Sequence, residues 1–114
     1  MTLSVFEITG EYAIASDSGQ QLYDRIYPPL QAGQAITLDF NGVNVFASAF
    51  FNFAIGQLLR DLAPADLNRL LHIDGLNETG KLLLKRVIDN AKRYYTDPQY
   101  QAAVDDTLEE YAQM

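Results

Sequence analysis

The sequence predicts a single α/β domain spanning residues 1–114, in which a small mixed β-sheet packs against α-helices and an extra helix lies at the C-terminus. Short β-branched and aromatic runs alternate along the chain with longer segments whose apolar residues recur every three or four positions. Such alternation is typical of layered α/β domains. With 114 residues, 48% of them hydrophobic, the chain suffices for one core and is too short for two.

Two short extended segments open the chain. Residues 3–8 form a β-branched and aromatic run that predicts a strand, and residues 12–15 add a second extended piece. Asp17 or Ser18 then caps a helix, since either side chain accepts a hydrogen bond from a free backbone N–H. We expect this helix to stop near Tyr27, because the two prolines that follow disfavour helical conformation in the residue before them.

The central strand comprises residues 35–40 and has too few polar residues for a face open to water, which predicts a sheet covered on both sides. After an Asn-Gly turn, a helix runs over about residues 48–60. Its predicted core face consists of Phe51, Ala54, Ile55 and Leu58. A second stripe on the same helix consists of Ser48, Asn52 and Gly56. Because this second stripe is small and polar, we expect it to face a partner.

The last third of the chain continues the alternation. We expect a loop or single turn at residues 61–66, a third strand at residues 70–73, and a long helix over about residues 78–95 that Asn77 caps. A final helix follows from Asp97 at its cap, with Pro98 at its first position, to about Ala112. His72 lies on the predicted third strand, where a buried structural role is favoured over catalysis or metal binding.

Composition excludes several classes of function. The chain has no cysteine and one histidine, so a structural zinc site would need carboxylates that Zn²⁺ rarely accepts, and we predict no metal and no cofactor. A net charge of −7 repels nucleic-acid phosphates and anionic membranes. No apolar run approaches the roughly 20 residues that span a bilayer, and residues 1–12 lack the basic start of a secretory signal. We therefore expect a cytoplasmic protein without nucleic-acid or membrane partners.

Enzyme motifs are missing as well. The sequence contains no glycine-rich phosphate loop, no nucleophile elbow and no metal-binding helix motif. Ser48 has no identifiable general base nearby in the sequence. We predict a binding module without catalytic residues.

Two polar positions remain as candidates. A phosphate on Ser48 would meet the positive end of a helix, which the fold would tolerate, while a docked partner would meet nearly two new negative charges. The alternative is that Ser48 only caps the helix, which is worth about 1 kcal/mol. Asp39 ends the central strand at the edge where α/β sheets usually bind ligands, with turn formation as its alternative role.

Charge is distributed unevenly between the last two predicted helices. The basic residues of the long helix are Lys81, Lys85, Arg86, Lys92 and Arg93, whereas the final helix carries Asp105, Asp106, Glu109 and Glu110. We expect the two sets to pair on a solvated surface, with a docking face for a charged partner as the alternative.

The run LDFNGVNVFASAFFNFAIGQLL resembles the central motif of STAS-like domains, relatives of the STAS domains of anti-sigma-factor antagonists. In the antagonists an aspartate-ending strand and a Gly-Val turn lead to Asp-Ser-Ser-Gly-Leu-Gly at a helix start. Their phosphorylated serine corresponds to Ser48, the preceding aspartate to Ala47 and the second serine to Ala49. The run LLLKRVIDNAKRYYTDPQY is also similar to the STAS-like group of unknown function, so the resemblance covers about residues 10–100.

This resemblance implies a non-enzymatic regulatory module that binds a protein partner, either an ATPase-fold serine kinase or an anti-sigma factor. We expect Ser48 to be the regulatory phosphorylation site. The residues expected to bind the partner are Asp39, Asn44, Phe51 and Asn52. Two alternatives stay open: a sensor that holds a nucleotide or another small anion at the same helix N-terminus, and a structural subunit of a homo-oligomer.

Overall fold

A computed structural model describes residues 1–96 of the chain. Its strands are β1 (Thr2–Ser4), β2 (Tyr12–Ala13), β3 (Ile36–Asp39), β4 (Val45–Phe46) and β5 (Leu71–Asp74). Its helices are α1 (Phe6–Thr9), α2 (Ser16–Gln31), α3 (Ser48–Phe51), α4 (Leu58–Asp61), α5 (Pro64–Leu70) and α6 (Glu78–Thr96). A π-helical segment, Asn52–Gly56, lies between α3 and α4. The final helix predicted from Asp97 to Ala112 lies outside the described residues.

The α/β class is confirmed, but the strands form two parallel sheets instead of one small mixed sheet. One sheet has the order β1-β3-β5, and the other pairs β2 with β4. The turn after β3 explains the separation. Gly42 has a φ of 90°, and the Val43 N–H donates to the Phe40 carbonyl at 3.0 Å. The chain therefore leaves β3 at an angle and pairs with β2, where an antiparallel hairpin would have returned along β3.

The three-stranded sheet has one apolar and one polar face. The apolar face carries Leu3, Ile36, Leu38, Leu71 and Ile73, whereas Thr2, Ser4, Thr37, Asp39, His72 and Asp74 lie on the other face. Ile36 and Leu38 are fully buried, but His72 is exposed. The expectation of a sheet covered on both sides, with His72 buried, is therefore wrong for the described part of the chain. Strand alternation places the polar residues on one face, which tolerates contact with water.

The first predicted strand is shorter than expected, because the chain turns into α1 after Ser4. The buried Val5 extends the sheet by one bond, in which its N–H donates to the Asp39 carbonyl at 2.9 Å. Its own carbonyl then accepts N–H groups from Ile8 and Thr9 at 2.9 and 3.0 Å, which closes a helical turn. Local strand propensity over residues 5–8 is thus overridden by this turn.

Helix α2 differs from the prediction at both ends. It begins at Ser16 after an extended Ala15, without a side-chain cap, so neither Asp17 nor Ser18 is the cap residue. It also continues through both prolines to Gln31. Burial of Leu30 in the core favours this continuation, and the carbonyls of the two prolines accept N–H groups from Ala32 and Gln34.

The segment before β5 forms a helix where a loop or single turn was predicted. Pro64 occupies one of the first positions of α5, where its missing N–H costs nothing. Leu67 and Leu70 lie three positions apart and are both buried, so packing stabilises the short helix. The third strand is confirmed, at Leu71–Asp74 instead of residues 70–73.

The core is centred on packed phenylalanine rings. The Phe46 ring stacks on Phe51 with centroids 5.5 Å apart, and Phe40 lies 6.0 and 6.1 Å from these two rings. Phe50 meets Phe51 edge-on at 5.5 Å. The predicted core face of the central helix is confirmed, since Phe51, Ala54, Ile55 and Leu58 are all buried.

Close packing of α2 on the central helical region predicts a sharp difference between two glycines. A Cβ at Gly19 would clash with the Phe50 carbonyl oxygen and lie 3.0 Å from the Phe53 Cβ. Gly19→Ala should therefore destabilise the protein by about 1–3 kcal/mol through overpacking. At Gly56 the nearest atom would be Val87 Cγ1 at 3.5 Å, so Gly56→Ala should be neutral or stabilise by up to about 1 kcal/mol. Urea unfolding of both variants measures the difference, and equal effects would contradict the packing argument.

Candidate functional site

Ser48 is the first residue of α3 and is exposed. The cap position belongs to Ala47, whose backbone is extended at φ −132° and ψ 152°, and no side chain caps this helix end. The alternative that Ser48 serves as the N-cap is therefore wrong. Its hydroxyl forms no hydrogen bond with another residue in the range 1–96, so it is accessible at the start of the helix.

The two-stranded sheet determines where Ser48 lies. Tyr12 pairs with Val45 and Ala13 with Phe46, and the Ala47 N–H donates to the Ala13 carbonyl at 3.1 Å. Ala13 is buried and Phe46 is half-buried, so these two residues anchor the two-stranded sheet to the core. The chain consequently enters the helix directly beside residue 14 of the neighbouring strand segment.

Large apolar side chains are exposed on the two strands that lead to this serine and on the helical turn that follows it. Tyr12 is 56% exposed, Ile14 47%, Val45 42% and Phe53 41%. The last of these follows Ser48 by five positions, and the close approach of Gly19 to the Phe53 Cβ brings it beside the start of α2. We call the set of Tyr12, Ile14, Val45, Ser48, Asn52 and Phe53 the Ser48 face.

The helix changes its hydrogen-bond register within this face. The Gln57 N–H donates to the Asn52 carbonyl at 3.1 Å, five residues back. The carbonyl of Phe53 instead accepts the Gln57 Nε2 at 2.6 Å, and the same Nε2 donates to Gln20 Oε1 at 2.9 Å. Single π turns of this kind occur frequently at functional sites, and here the turn presents Phe53 to solvent.

The four residues predicted to bind a partner do not form one cluster. Asn52 is exposed four positions after Ser48, on the same side of the helix. Phe51 is fully buried against Phe46, so it is a core residue instead of the partner-contacting residue we predicted. The polar stripe also ends early, because Gly56 is buried and faces α6 at Val87.

Asp39 and Asn44 have structural partners. Asp39 Oδ1 accepts the backbone N–H and the Nδ2 of Asn41 at 2.9 and 2.6 Å, which is the turn-forming role weighed as its alternative. The Asn44 Nδ2 donates to Glu11 Oε1 at 3.2 Å, and its carbonyl accepts the Asn77 Nδ2 at 3.2 Å. Asn44 therefore ties the β4 segment to the start of β2 and to α6.

Asn77 is the helix cap that the sequence predicts. Its Oδ1 accepts the Gly80 N–H at 2.8 Å, while its Nδ2 reaches the Asn44 carbonyl. The sequence pattern that identifies Asn77 as a cap does not reveal its hydrogen bond to the Asn44 carbonyl, since Asn44 lies 33 positions away. This bond is one of the positioning contacts that sequence reasoning missed.

Two residues outside the Ser48 face, Tyr27 and Arg60, have raised pKa values. Partial desolvation, followed by the negative charge of Asp61, raises the pKa of Tyr27. A hydrogen bond to Asp61 and its charge raise the pKa of Arg60. Arg60 also donates to the Tyr23 hydroxyl at 3.2 Å. These contacts join the end of α4 to α2 and involve no residue of the Ser48 face.

Two further classes of site find no support in residues 1–96. No group of three or more His, Asp or Glu side chains there is arranged to hold a metal ion. None of the helices in that range combines the length and hydropathy that crossing a bilayer requires.

The side chain of Gln57 provides a test of the π turn. Gln57→Leu removes both of its side-chain bonds and should cost about 1–2 kcal/mol, since each bond contributes about 0.5–1.5 kcal/mol. Gln20→Leu leaves the bond to the Phe53 carbonyl intact and removes the bond between Gln57 and Gln20 together with the exposed bond from Gln20 Nε2 to Asp24. Because an exposed side-chain bond contributes little, this variant should cost less than Gln57→Leu. Urea unfolding compares the two variants. If Gln57→Leu were as stable as wild type, the hydrogen bond from the Gln57 side chain to the Phe53 carbonyl would not contribute to the free energy of unfolding.

Comparison with known proteins completes the description. A family model described as a STAS-like domain of unknown function matches residues 18–81, more than half of the chain. The matched region covers α2 from Ser18 onward, β3, the helical region from α3 to α4, and β5. No curated protein and no solved structure matches the chain.

Proposed function

The chain belongs to the family of STAS-like domains of unknown function, and on that premise we propose that it is a non-enzymatic regulatory module that binds a protein partner. The resemblance to anti-sigma-factor antagonists suggests the kind of regulation. The observation that carries the proposal is an exposed serine whose hydroxyl forms no hydrogen bond with residues 1–96, on a helix start flanked by segments that carry four exposed apolar side chains.

The Ser48 face has the composition of a protein-binding surface. Tyrosine and phenylalanine are enriched where proteins dock, and a few such side chains carry most of the binding energy. Tyr12 and Phe53 supply these anchors, each more than 40% exposed. Val45 and Ile14 extend the apolar area between them. We assign the docked partner to this face.

Phosphorylation of Ser48 would switch the binding. A phosphate at the first helical position is favoured by the helix dipole, so the domain keeps its fold. The same group would place nearly two negative charges among apolar side chains that a docked partner must desolvate. The modified form should therefore bind its partner more weakly than the unmodified form.

The partner is an ATPase-fold serine kinase or an anti-sigma factor in the cytoplasm, as the resemblance implies, and no cofactor is required. Ala47 occupies the position of the aspartate that precedes the phosphorylated serine in the antagonists. A kinase acting here would thus recognise Ser48 without that carboxylate and depend on the neighbouring apolar side chains.

A charge at position 48 tests the switch. Affinity capture from the host cells, with mass spectrometry of the partners and of the Ser48 peptide, should recover one ATPase-fold regulator with wild type and lose it with Ser48→Asp. Ala65→Asp is the matched control, because it adds the same charge to the exposed first turn of α5. Capture of the same partners by wild type and Ser48→Asp, with Ser48 never modified, would exclude the switch. A nucleotide-dependent rise in melting temperature would then favour the ligand-sensing alternative.

Removing an apolar anchor tests the surface independently of phosphorylation. Phe53→Ala keeps the Cβ that packs beside Gly19 and removes the exposed ring. Partner affinity should fall by roughly tenfold or more, since truncating a central aromatic anchor costs about 2 kcal/mol. Isothermal titration with the captured partner measures this loss, and Leu82→Ala, which truncates an exposed side chain on α6, is the control. An unchanged affinity of Phe53→Ala would place the interface elsewhere.

A further inference from the structure

An open apolar groove runs along α6 on its Leu84 and Ile88 side. Its walls come from β5, α5 and the end of the central helical region, and one part encloses about 230 Å³. The apolar residues that line it include Leu59, Leu67, Leu71, Ile73, Leu84 and Ile88. A second, wider part shares Ile73, Leu84 and Ile88 with the first, so the two parts are continuous.

The rim of this groove carries more basic than acidic side chains. Lys81, Lys85 and Lys92 line it together with Asp74 and Asp89. Lys81 lies 3.7 Å from Glu78 within its own helix. The other two lysines form no ion pair with a residue in the range 1–96. On a chain of net charge −7, an apolar groove with a lysine rim favours an acidic amphipathic segment.

The chain itself contains such a segment. Residues 97–114 include five acidic residues and no lysine or arginine. Their larger apolar residues, apart from the terminal methionine, are Tyr100, Val104, Leu108 and Tyr111. Spacings of four, four and three place these four on one side of a helix, with the acidic residues on the remaining sides.

We propose that residues 97–114 bind as a helix in this groove of the same chain. The segment follows Thr96, the last described residue of α6, and Pro98 disfavours helical conformation in the residue before it. A reversal of the chain at Asp97 and Pro98 would lay the segment antiparallel to α6. The stretch from Leu84 to Thr96 is about 18 Å long, and residues 98–112 would span about 21 Å as a helix. The two lengths are similar.

A second copy of the chain could offer the same segment to the groove. Attachment to the groove's own helix favours the intramolecular contact, because it gives the segment a high effective concentration at its site. The two cases differ only in which chain supplies residues 97–114, and a mixture of labelled and unlabelled chains distinguishes them.

Paramagnetic broadening tests the proposal on the full chain. Because the sequence has no cysteine, Asp106→Cys provides a unique spin-label site on the acidic side of the segment. The methyl signals of Ile73, Leu84 and Ile88 should lose intensity, and those of Leu22 and Ile26 in α2 should not. Absence of selective loss at the groove would overturn the proposal.

Matched variants of the labelled protein separate docking from general proximity. Val104→Asp with Leu108→Asp should abolish the loss of intensity at the groove, whereas Ala102→Asp with Gln113→Asp adds the same charge away from the apolar side and should preserve it. Retained broadening in the first pair would overturn the proposal. A mixture of spin-labelled chain and unlabelled, isotope-enriched chain should show no broadening, and broadening there would assign the segment to a second copy instead. Unchanged α2 signals verify that each variant is folded.

Discussion

The contact between Phe46 and Phe51 is the constraint on which the rest of the site depends. Phe51 is fully buried, and its ring stacks on Phe46 from the neighbouring strand. Because Phe46 points inward, strand alternation turns Val45 outward. The next two residues then lead the chain into a helix whose first side chain, Ser48, meets solvent. The exposure of Val45 and Ser48 is therefore a consequence of the contact between the buried Phe51 ring and the half-buried Phe46 ring.

The π turn adds a second constraint that connects the core with the surface. It shifts the helix register directly after the buried phenylalanine pair, and Gln57 compensates by donating its side-chain amide to the Phe53 carbonyl. The close approach at Gly19 leaves no room for a Cβ, so α2 packs tightly against this shifted region. The shape of the Ser48 face therefore depends on a glycine and a glutamine that need not contact any partner.

Helix α6 uses different sides for different contacts. Its first turn is capped by Asn77, which also holds the Asn44 carbonyl behind the Ser48 face. Val87 packs against Gly56 in the core, and the next side of the helix lines the apolar groove with Leu84 and Ile88. A segment bound in that groove would therefore lie against the same helix whose cap holds the Asn44 carbonyl.

Patterns within single segments of the sequence predicted much of this protein's secondary structure and fold class. The alternation of segments predicted the α/β class, the spacing of apolar residues predicted the core face of the central helix, and Asn77 was predictable as a cap because its signal is local. Tertiary structure alone decided that α2 passes through its prolines, that the central helix changes its hydrogen-bond register at Asn52–Gly56 and that Ser48 is not the cap residue. Each of these outcomes depends on packing or pairing with another element, such as the burial of Leu30 at the end of α2 or the hydrogen bond between Ala47 and Ala13. Helix propensities of residues other than glycine and proline differ by less than about 1 kcal/mol, so burial of one large side chain outweighs them.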